Sequence, residues 1–301
     1  MRFLKKIIYS FLERHFFEGC SKFNPLEVRR QSRTKEQARD AFEKIGAPHA
    51  EGDIFIWPGR AVRFVKKHGF PIVLKPNFGT FSRGSYFPIR DLKEFWSAMI
   101  RTKLFWPRTV IEEYLEGGNF RVVVIEGKTM MVAHRFPPFV VGDNLRTISD
   151  LIDEENRIRE EMQLLPVIFR LDKNRIQKFL KKKKLDLKTV PKKGEKIRLG
   201  NLVALWAGGA LVNIPLEKIP EKNHMLFQKI LKAFDSRIFG LDMLCEKSVE
   251  VPWDEQRCIF LEANSRPYLK MHDFPRFGGK PDYSADLKKL ESLEVKDGDI
   301  F

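Results

Sequence analysis

Two acids and an amide in the C-terminal half of the chain have the residue types of a divalent-cation site. Glu262 and Asn264 follow the apolar residues 258–261, and a spacing of two places both side chains on one face of a strand. Asp242 interrupts a second apolar run, at residues 239–244. If the two runs pair, three oxygen ligands converge, which suits Mg²⁺. The spacing alone fits solvated acids on a half-exposed sheet equally well.

A glycine-containing loop far upstream has the composition of a phosphate-binding segment. Residues 70–75 predict a buried strand, and the loop at residues 75–85 adds glycines, hydroxyl side chains and flanking cations. Glycines let backbone N–H groups approach a phosphate chain, and Lys75 and Arg83 can neutralise its charge. The loop lacks the GxxxxGK[ST] spacing of a Walker loop. Many surface loops share this composition, so the loop alone does not establish nucleotide binding.

The elements that must position these residues follow an α+β order. Thr34 can cap a helix that ends before Gly46, and residues 126–128 predict a hairpin turn between strands at 120–125 and 129–135. Further helices are predicted at residues 60–68, 91–101, 171–184 and 220–234, and a further strand at 109–115. Because antiparallel strands come after helices, the order favours an α+β fold over a doubly wound one.

Composition narrows the classes of partner. The chain has 301 residues, a formal net charge of +15 and a pI of about 9.7, which favours anionic partners such as phosphate-bearing or acidic small molecules, nucleic acid or anionic membrane. Its three cysteines, Cys20, Cys245 and Cys258, form no CxxC pair and predict reduced thiols in a cytoplasmic protein. No apolar stretch is long enough to predict a membrane span.

The N-terminal residues predict an amphipathic helix. Apolar residues recur at helical spacing from Phe3 to Leu12, with Lys5, Lys6 and Arg14 around them. Charges interrupt the apolar region, so the segment does not predict a signal peptide. We expect this helix to dock on its own chain. Contact with a membrane surface or a partner is the alternative.

The motifs occur in an order that resembles the ATP-grasp ligases, in particular the ATP-grasp module of cyanophycin synthetase and glutathione-synthetase-like carboxylate–amine ligases. The resemblance spans roughly residues 34–285. The matching segments are residues 75–84, 112–115, 121–135, 138–144, 147–157, 190–196, 201–209, 240–242, 262–264 and 271–281. No single motif is decisive, and the specificity comes from the ordered set.

The resemblance implies an ATP-grasp fold with the nucleotide held between two α+β subdomains, at residues 34–108 and 109–285. Residues 1–33 would be a helix and linker, and residues 286–301 a tail. It also implies a set of site residues. The implied ATP contacts are Lys75, Gly79, Thr80, Ser82, Arg83 and Gly84 at the phosphates, Glu112, Glu113, Tyr114 and Leu115 as the adenine hinge, and Asn119 at the ribose.

The remaining implied roles concern the metal and the reaction. Asp242, Glu262 and Asn264 would hold Mg²⁺, with Mn²⁺ as an alternative, and Arg121, Arg135 and Arg198 would face the transferring phosphoryl group or a substrate carboxylate. The implied activity is ATP-dependent amide formation through an acylphosphate, on an amino acid or peptide. The alternative is an inactive basic protein that binds nucleic acid or an anionic surface, although nucleic acid is not the expected partner.

Several residues depart from the family pattern. Ser82 replaces a loop glycine, Asn119 replaces an acid at the ribose, and Arg39 lies near where a helix lysine usually reaches the phosphates. Residues 265–268 replace the usual continuation after the metal amide. Only about thirty residues precede the resemblance, so a full N-terminal pre-ATP-grasp domain is not expected. A partner chain or a homo-oligomer could complete the substrate site.

Overall fold

The computed structural model describes residues 23–24, 27–28, 32, 34–77, 84–162 and 170–292. Its mixture of helices and antiparallel strands confirms the predicted α+β class. In chain order the elements are α1 (Lys35–Lys44), β1 (Gly52–Phe55), α2 (Pro58–His68), β2 (Ile72–Pro76), β3 (Tyr86–Ile89), α3 (Leu92–Lys103), β4 (Thr109–Glu113), β5 (Gly118–Ile125), β6 (Lys128–Phe136), β7 (Phe139–Val141), α4 (Ile148–Glu161), α5 (Lys173–Lys181), β8 (Lys196–Arg198), β9 (Ala210–Ile214), α6 (Glu221–Ala233), β10 (Ile238–Cys245), β11 (Cys258–Asn264) and α7 (Ser284–Glu291).

Internal contacts divide the chain into two compact units. The first contains the described residues up to Ala133, Ile214–Lys270 and the described residues from Pro281, and the second contains His134–Asn213 and Met271–Lys280. This grouping differs from the predicted boundary between residues 108 and 109. That boundary falls inside a four-stranded sheet of order β1-β4-β2-β3, where β4 pairs with both β1 and β2. The hydrogen bonds of one sheet therefore join residues on both sides of it.

Helices α2 and α3 cover one face of the four-stranded sheet. Phe64 of α2 and Phe95 of α3 share a buried core with Leu74 of β2 and Ile111 of β4. Since successive strand residues point to opposite faces, Lys75 and Glu112 lie on the face away from these helices. The alternation in each strand thus separates a packing face from a polar face.

The five-stranded sheet has the order β11-β10-β5-β6-β9. Its central strand pairs are antiparallel, with Asp242 of β10 opposite both Arg121 of β5 and Glu262 of β11. Helices α1 and α6 pack onto the part of this sheet in the first unit through Phe42 and Phe227, which share one core with strand residues. The predicted pairing of the two acidic strands is therefore confirmed.

Helix α1 begins where the sequence predicts. Thr34 is the N-cap, and its hydroxyl accepts a hydrogen bond from the Gln37 backbone N–H at 3.2 Å, while the Gln37 side chain accepts one from the Thr34 N–H. This reciprocal capping box satisfies two backbone donors that the helix leaves unpaired. After the helix, Gly46 adopts a left-handed backbone with φ of +68°. The start of α1 is thereby fixed at Lys35.

The second unit has its own small core and an internal ion network. Val140 and Ile197 of the β7–β8 sheet pack with Ile148 of α4 and Leu180 of α5. The buried Arg159 pairs with Glu155 at 2.8 Å, and Arg276 pairs with the same carboxylate at 2.9 Å. None of the described helices has the length and apolar character needed to cross a membrane. The predicted N-terminal helix and Cys20 lie outside the described residues.

Candidate active site

Arg121, Asp242 and Glu262 form one row across three neighbouring strands of the first unit. Asp242 lies directly opposite Arg121 on β5 and directly opposite Glu262 on β11. The Nε atom of Arg121 is 3.1 Å from Oδ1 of Asp242, and only about a tenth of each of these two side chains is exposed. Burying such a pair carries a large desolvation cost, so it is weak evidence for a stabilising role. The burial is better explained by a role in binding or chemistry.

Local backbone features make room for this row. Gly240 lies opposite Asn264, and a Cβ atom at Gly240 would fall 2.7 Å from an Nη atom of Arg121 and 2.9 Å from Cβ of Pro267. Glycine is therefore needed there for a close approach rather than for an unusual backbone angle. The register between β10 and β11 also shifts after Asp242. Such bulges are common beside active sites, where they re-aim side chains.

Lys75 and Glu112 form a second buried ion pair of the first unit. They lie on neighbouring strands β2 and β4, and their residues are 8% and 7% exposed. The ion pair adds a contact to Glu112, whose role in the adenine hinge stays a prediction. Its carboxylate pairs with Lys75, while its backbone lies between β1 and β2 inside the sheet. Lys75 is held at the end of its strand, directly before the loop predicted to contact phosphates.

Lys35 lies near these two ion pairs, and it was not among the predicted site residues. Burial is the largest effect that lowers its pKa, followed by the nearby charge of Lys75, while Glu262 and Glu112 raise it. A lysine in the first turn of a helix opposes the helix dipole. Its place directly after the Thr34 cap shows that it begins the helix, but no local pattern shows that it lies near Lys75 and Glu262. We use the name charge cluster for Lys35, Lys75, Glu112, Arg121, Asp242 and Glu262.

Asn77 connects the start of α1 to the end of the lysine strand. Its carbonyl accepts a hydrogen bond from the Lys35 N–H and its Oδ1 atom accepts one from the Glu36 N–H, both at 3.4 Å. Asn77 is buried, and it directly precedes residues 78–83. This contact fixes Lys35 relative to Lys75, so the two cations reach the cluster from different elements.

The residues around Glu262 lower the pKa of its carboxyl group. Burial raises the pKa of its carboxyl, but Lys35, a hydrogen bond from Asn264, Arg121 and Lys75 together lower it below the ordinary value. The Asn264 Nδ2 atom donates that hydrogen bond at 3.0 Å. Glu262 is therefore charged at neutral pH and able to act as a metal ligand.

The oxygen donors near Glu262 fit a magnesium ion in type and number. Asp242 and Glu262 offer carboxylates, and Asn264 offers an amide oxygen while its nitrogen bonds Glu262. Mg²⁺ is bound through one or two carboxylates and completes its shell with water and phosphate oxygens. Among the described residues, no group of three or more His, Cys, Asp and Glu side chains could hold a metal ion. A cation here would depend on Asn264 and on ligands from outside the chain, and the same donors would accept Mn²⁺.

The predicted hinge and ribose residues lie at the end of β4 and at the start of β5. The Glu113 carboxylate pairs with Arg257 and accepts a hydrogen bond from the Glu51 N–H at 3.3 Å. The Tyr114 N–H donates to the Pro71 carbonyl at 3.2 Å, and Leu115 is buried. Asn119 lies opposite Leu244 on β10. Their roles toward adenine and ribose stay predictions.

The remaining predicted residues lie elsewhere. Arg135 is half-buried on β6 and Arg198 is exposed on β8, both in the second unit. The Nε atom of Arg198 donates to the Gly200 carbonyl at 2.8 Å. Gly84 has a φ of +74° and packs against the ring of Trp106. The predicted phosphate contacts Gly79, Thr80, Ser82 and Arg83 lie outside the described residues.

Most of the chain is similar to known proteins, although no family model matches it. The chain is 33% identical over 251 residues to the cyanophycin synthetase of Trichormus variabilis, which covers 81% of this chain and 27% of that protein. A bifunctional glutathione synthetase from Pasteurella multocida has a similar structure, with a TM-score of 0.64 and 20% identity, covering 91% of this chain and 38% of that one. The ATP-grasp ligase PsnB, complexed with minimal precursor, superposes with a TM-score of 0.52 and 12% identity, covering 90% of this chain and 63% of that one.

The chain has the ATP-grasp fold, as the order of its motifs predicted. Its sequence is similar to cyanophycin synthetases, of whose length it spans about a quarter.

Proposed function

We propose that this chain is an ATP-dependent carboxylate–amine ligase that forms an amide bond through an acylphosphate. The observation that carries the proposal is the charge cluster, which combines three cations and three acids from helix α1 and the polar faces of two sheets. A purely structural core would gain more from apolar residues of similar volume. The similarity to cyanophycin synthetase and the ATP-grasp fold support the same activity.

The proposed reaction has two balanced steps. A substrate carboxylate oxygen bonds to the γ-phosphorus of ATP, the bond to the β–γ bridging oxygen breaks, and ADP leaves with the electron pair. An amine nitrogen then bonds to the activated carbonyl carbon, the carbon–oxygen bond to phosphate breaks, and the surplus amine proton passes to water. Neither step needs a protein nucleophile, because positioning and charge stabilisation lower the barrier.

The residues of the charge cluster divide this work. Lys35 and Lys75 bring positive charge to the phosphates from a helix and a strand, and Glu112 holds the Lys75 ammonium in place. Asp242, Glu262 and Asn264 would hold the metal ion, which supplies neutralisation of the β- and γ-phosphate charge when bound. Arg121, oriented by Asp242, offers a further charge for the transferring group or the substrate carboxylate.

The substrates we propose are an amino acid or peptide that carries the carboxylate and a second one that supplies the amine. Cyanophycin synthetase and glutathione synthetase are named for products of this chemical kind. The chain covers 27% and 38% of these two proteins. We therefore also propose that a partner chain or a second copy completes the substrate site.

Phosphate release tests the proposal. The purified full chain would be incubated with Mg²⁺ and ATP and with a panel of amino acids, dipeptides and acidic peptides, singly and in pairs. We expect release of phosphate and ADP in equal amounts with at least one pair, together with an amide product seen by mass spectrometry. No release with any pair, despite saturable Mg-ATP binding, would contradict ligase activity. The non-catalytic alternative finds no support in the comparisons.

A further inference from the structure

Helix α3 carries an apolar stripe that its own core does not use. Phe95, Ala98 and Met99 are buried against the four-stranded sheet. Leu92, Trp96 and Ile100 recur every four residues on another side of the helix and are 60%, 45% and 62% exposed. An ordinary surface helix has one apolar face and one polar face. The second apolar face of α3 therefore needs another explanation.

The stripe continues past the end of the helix. Leu104 and Phe105 are 71% and 73% exposed, and Ile56 and Trp57, after β1, are 54% and 80% exposed. The Lys103 Nζ atom donates a hydrogen bond to the Phe55 carbonyl at 3.0 Å, which joins the end of α3 to the end of β1. We call these seven exposed side chains the apolar patch. Exposed apolar residues grouped in this way mark interaction surfaces.

Cations outnumber acids on helix α3, which carries part of the apolar patch, and on helix α2, which begins directly after Trp57. Helices α2 and α3 together carry seven lysines and arginines, among them Arg63, Lys66, Lys93 and Arg101, against the single acid Glu94. The partner of the apolar patch must therefore be apolar at its centre and anionic around it. A second copy of this surface would meet like charges, which disfavours self-association through it.

We propose that the apolar patch and its cationic rim dock this chain onto an anionic lipid surface. Tryptophan, phenylalanine and aliphatic side chains enter the boundary between headgroups and acyl chains, and lysine and arginine contact the anionic headgroups. Each cation near an anionic leaflet adds to the attraction, and each buried apolar group adds to the anchoring. This surface is independent of the proposed ligase activity.

The geometry keeps the charge cluster clear of such a surface. Leu74 and Ile111 face helices α2 and α3, so Lys75 and Glu112 lie on the opposite side of the four-stranded sheet. The exposed side of α3 faces away from that sheet. Docking through α3 would therefore leave the opposite side of the sheet, where Lys75 lies, uncovered by the lipid.

Vesicle flotation of the full chain tests the proposal. Vesicles of phosphatidylcholine alone are compared with vesicles that also contain phosphatidylglycerol, at low and high salt. We expect binding only to the anionic vesicles, with weakening as salt rises. The double variant Ile100→Ser and Phe105→Ser should reduce binding by roughly tenfold or more, because two inserted side chains are lost. The double variant Lys93→Gln and Arg101→Gln should weaken it and flatten its salt dependence.

Matched controls use exposed residues elsewhere. Met225→Ser removes another exposed apolar side chain, and Lys181→Gln with Lys182→Gln removes two cations from α5. Both should bind vesicles as the unaltered chain does. The N-terminal segment is tested separately with Ile8→Ser and Phe11→Ser. Vesicle binding that is absent, or is lost only in this last variant, would overturn the proposal. The proposal would also be overturned if binding of an acidic protein, or of a second copy of the chain, required Ile100 and Phe105 while binding to vesicles did not.

Discussion

At the scale of single residues, the account depends most on Glu262. The residue is half-buried, its carboxylate accepts a hydrogen bond from Asn264, and the charges of Lys35, Arg121 and Lys75 act on it. Such an acid is ionised without being committed to a single partner. That is the state in which a carboxylate can exchange a protein contact for a metal ion.

Replacing Glu262 should weaken the binding of nucleotide. Glu262→Gln keeps the shape of the side chain but removes the charge that would bind a cation. We expect Mg-ATP to bind the variant roughly tenfold to a hundredfold more weakly, because a hydrogen-bonded charge is worth about 1.5–3 kcal/mol. Isothermal titration measures the affinity, with the exposed Glu217→Gln as the matched control. Equal affinity in both variants would remove Glu262 from the site.

The same variant should alter how stability depends on pH. The pKa of Glu262 is lower in the folded chain than in the unfolded one, where it is about 4.3. Its contribution to the free energy of unfolding is therefore complete above about pH 4.3 and is lost as the pH falls through the folded pKa. The difference in unfolding free energy between the unaltered chain and Glu262→Gln should shrink on acidification. Denaturant titrations in a pH series measure this difference, and a constant difference would contradict the assigned pKa direction.

At the scale of elements, the row of charged residues depends on how closely β5 and β10 can pack. Gly240→Ala should place a methyl group against the Arg121 guanidinium and Pro267. We expect a loss of about 1–3 kcal/mol in the free energy of unfolding, and weaker Mg-ATP binding as Arg121 is displaced. Gly59→Ala is the control, because nothing lies within 4 Å of its Cβ position in helix α2. The control should be neutral or slightly stabilising, by about 0.5–1 kcal/mol.

A Gly240→Ala variant that behaves like the control would contradict this prediction. Stability and nucleotide affinity that match those of Gly59→Ala would show that the strands relax without cost. The close approach at Gly240 would then not be needed to hold Arg121.

Strands β10 and β11 also bury two thiols, which should be unreactive. Cys245 and Cys258 lie opposite each other, and burial raises the pKa of both, that of Cys258 to about 11. Because the thiolate is the reactive form, neither should be alkylated by iodoacetamide near pH 8 while the chain is folded. Peptide mass spectrometry, with and without denaturant, measures the labelling. Rapid labelling of Cys258 in the folded chain would show that this end of the sheet opens.

Local signals predicted the elements well. The Thr34 cap, the Asp91 cap of α3 and the turn at Gly127 are set by residues next to each other in the chain. Strand alternation predicted that Glu262 and Asn264 share a face, and the register places Asp242 opposite Glu262, which meets the condition set for the three to converge. Lys35 and the pairing of Glu112 with Lys75 could not be found in this way. These contacts join separate elements, and no local pattern encodes them.

At the scale of the whole molecule, the sequence did not indicate how contacts divide the chain. The second unit is formed by residues 134–213 together with the distant residues 271–280. The Arg276–Glu155 ion pair is one contact that joins them. A boundary drawn along the sequence cannot describe a unit assembled from two separate segments. Arg135 and Arg198 belong to this second unit, so their predicted contacts with the phosphoryl group stay predictions.

The net charge of +15 is a further property of the whole chain. It fits a nucleotide substrate, because phosphates are attracted over several ångströms by a positive surface. Part of the same surplus lies on helices α2 and α3, which carry seven lysines and arginines against one acid. A single composition therefore supports two separate anionic partners, a nucleotide at the charge cluster and a lipid surface at the apolar patch.

The most direct test of the central claim is a crystal structure of the chain with Mg²⁺ and a non-hydrolysable ATP analogue. The account predicts a cation about 2.0–2.1 Å from oxygens of Asp242 and Glu262, with the β- and γ-phosphates completing its shell. It also predicts that the Lys35 and Lys75 ammonium groups contact phosphate oxygens. A nucleotide bound elsewhere on the chain, with the ion pairs of the charge cluster unchanged, would contradict it.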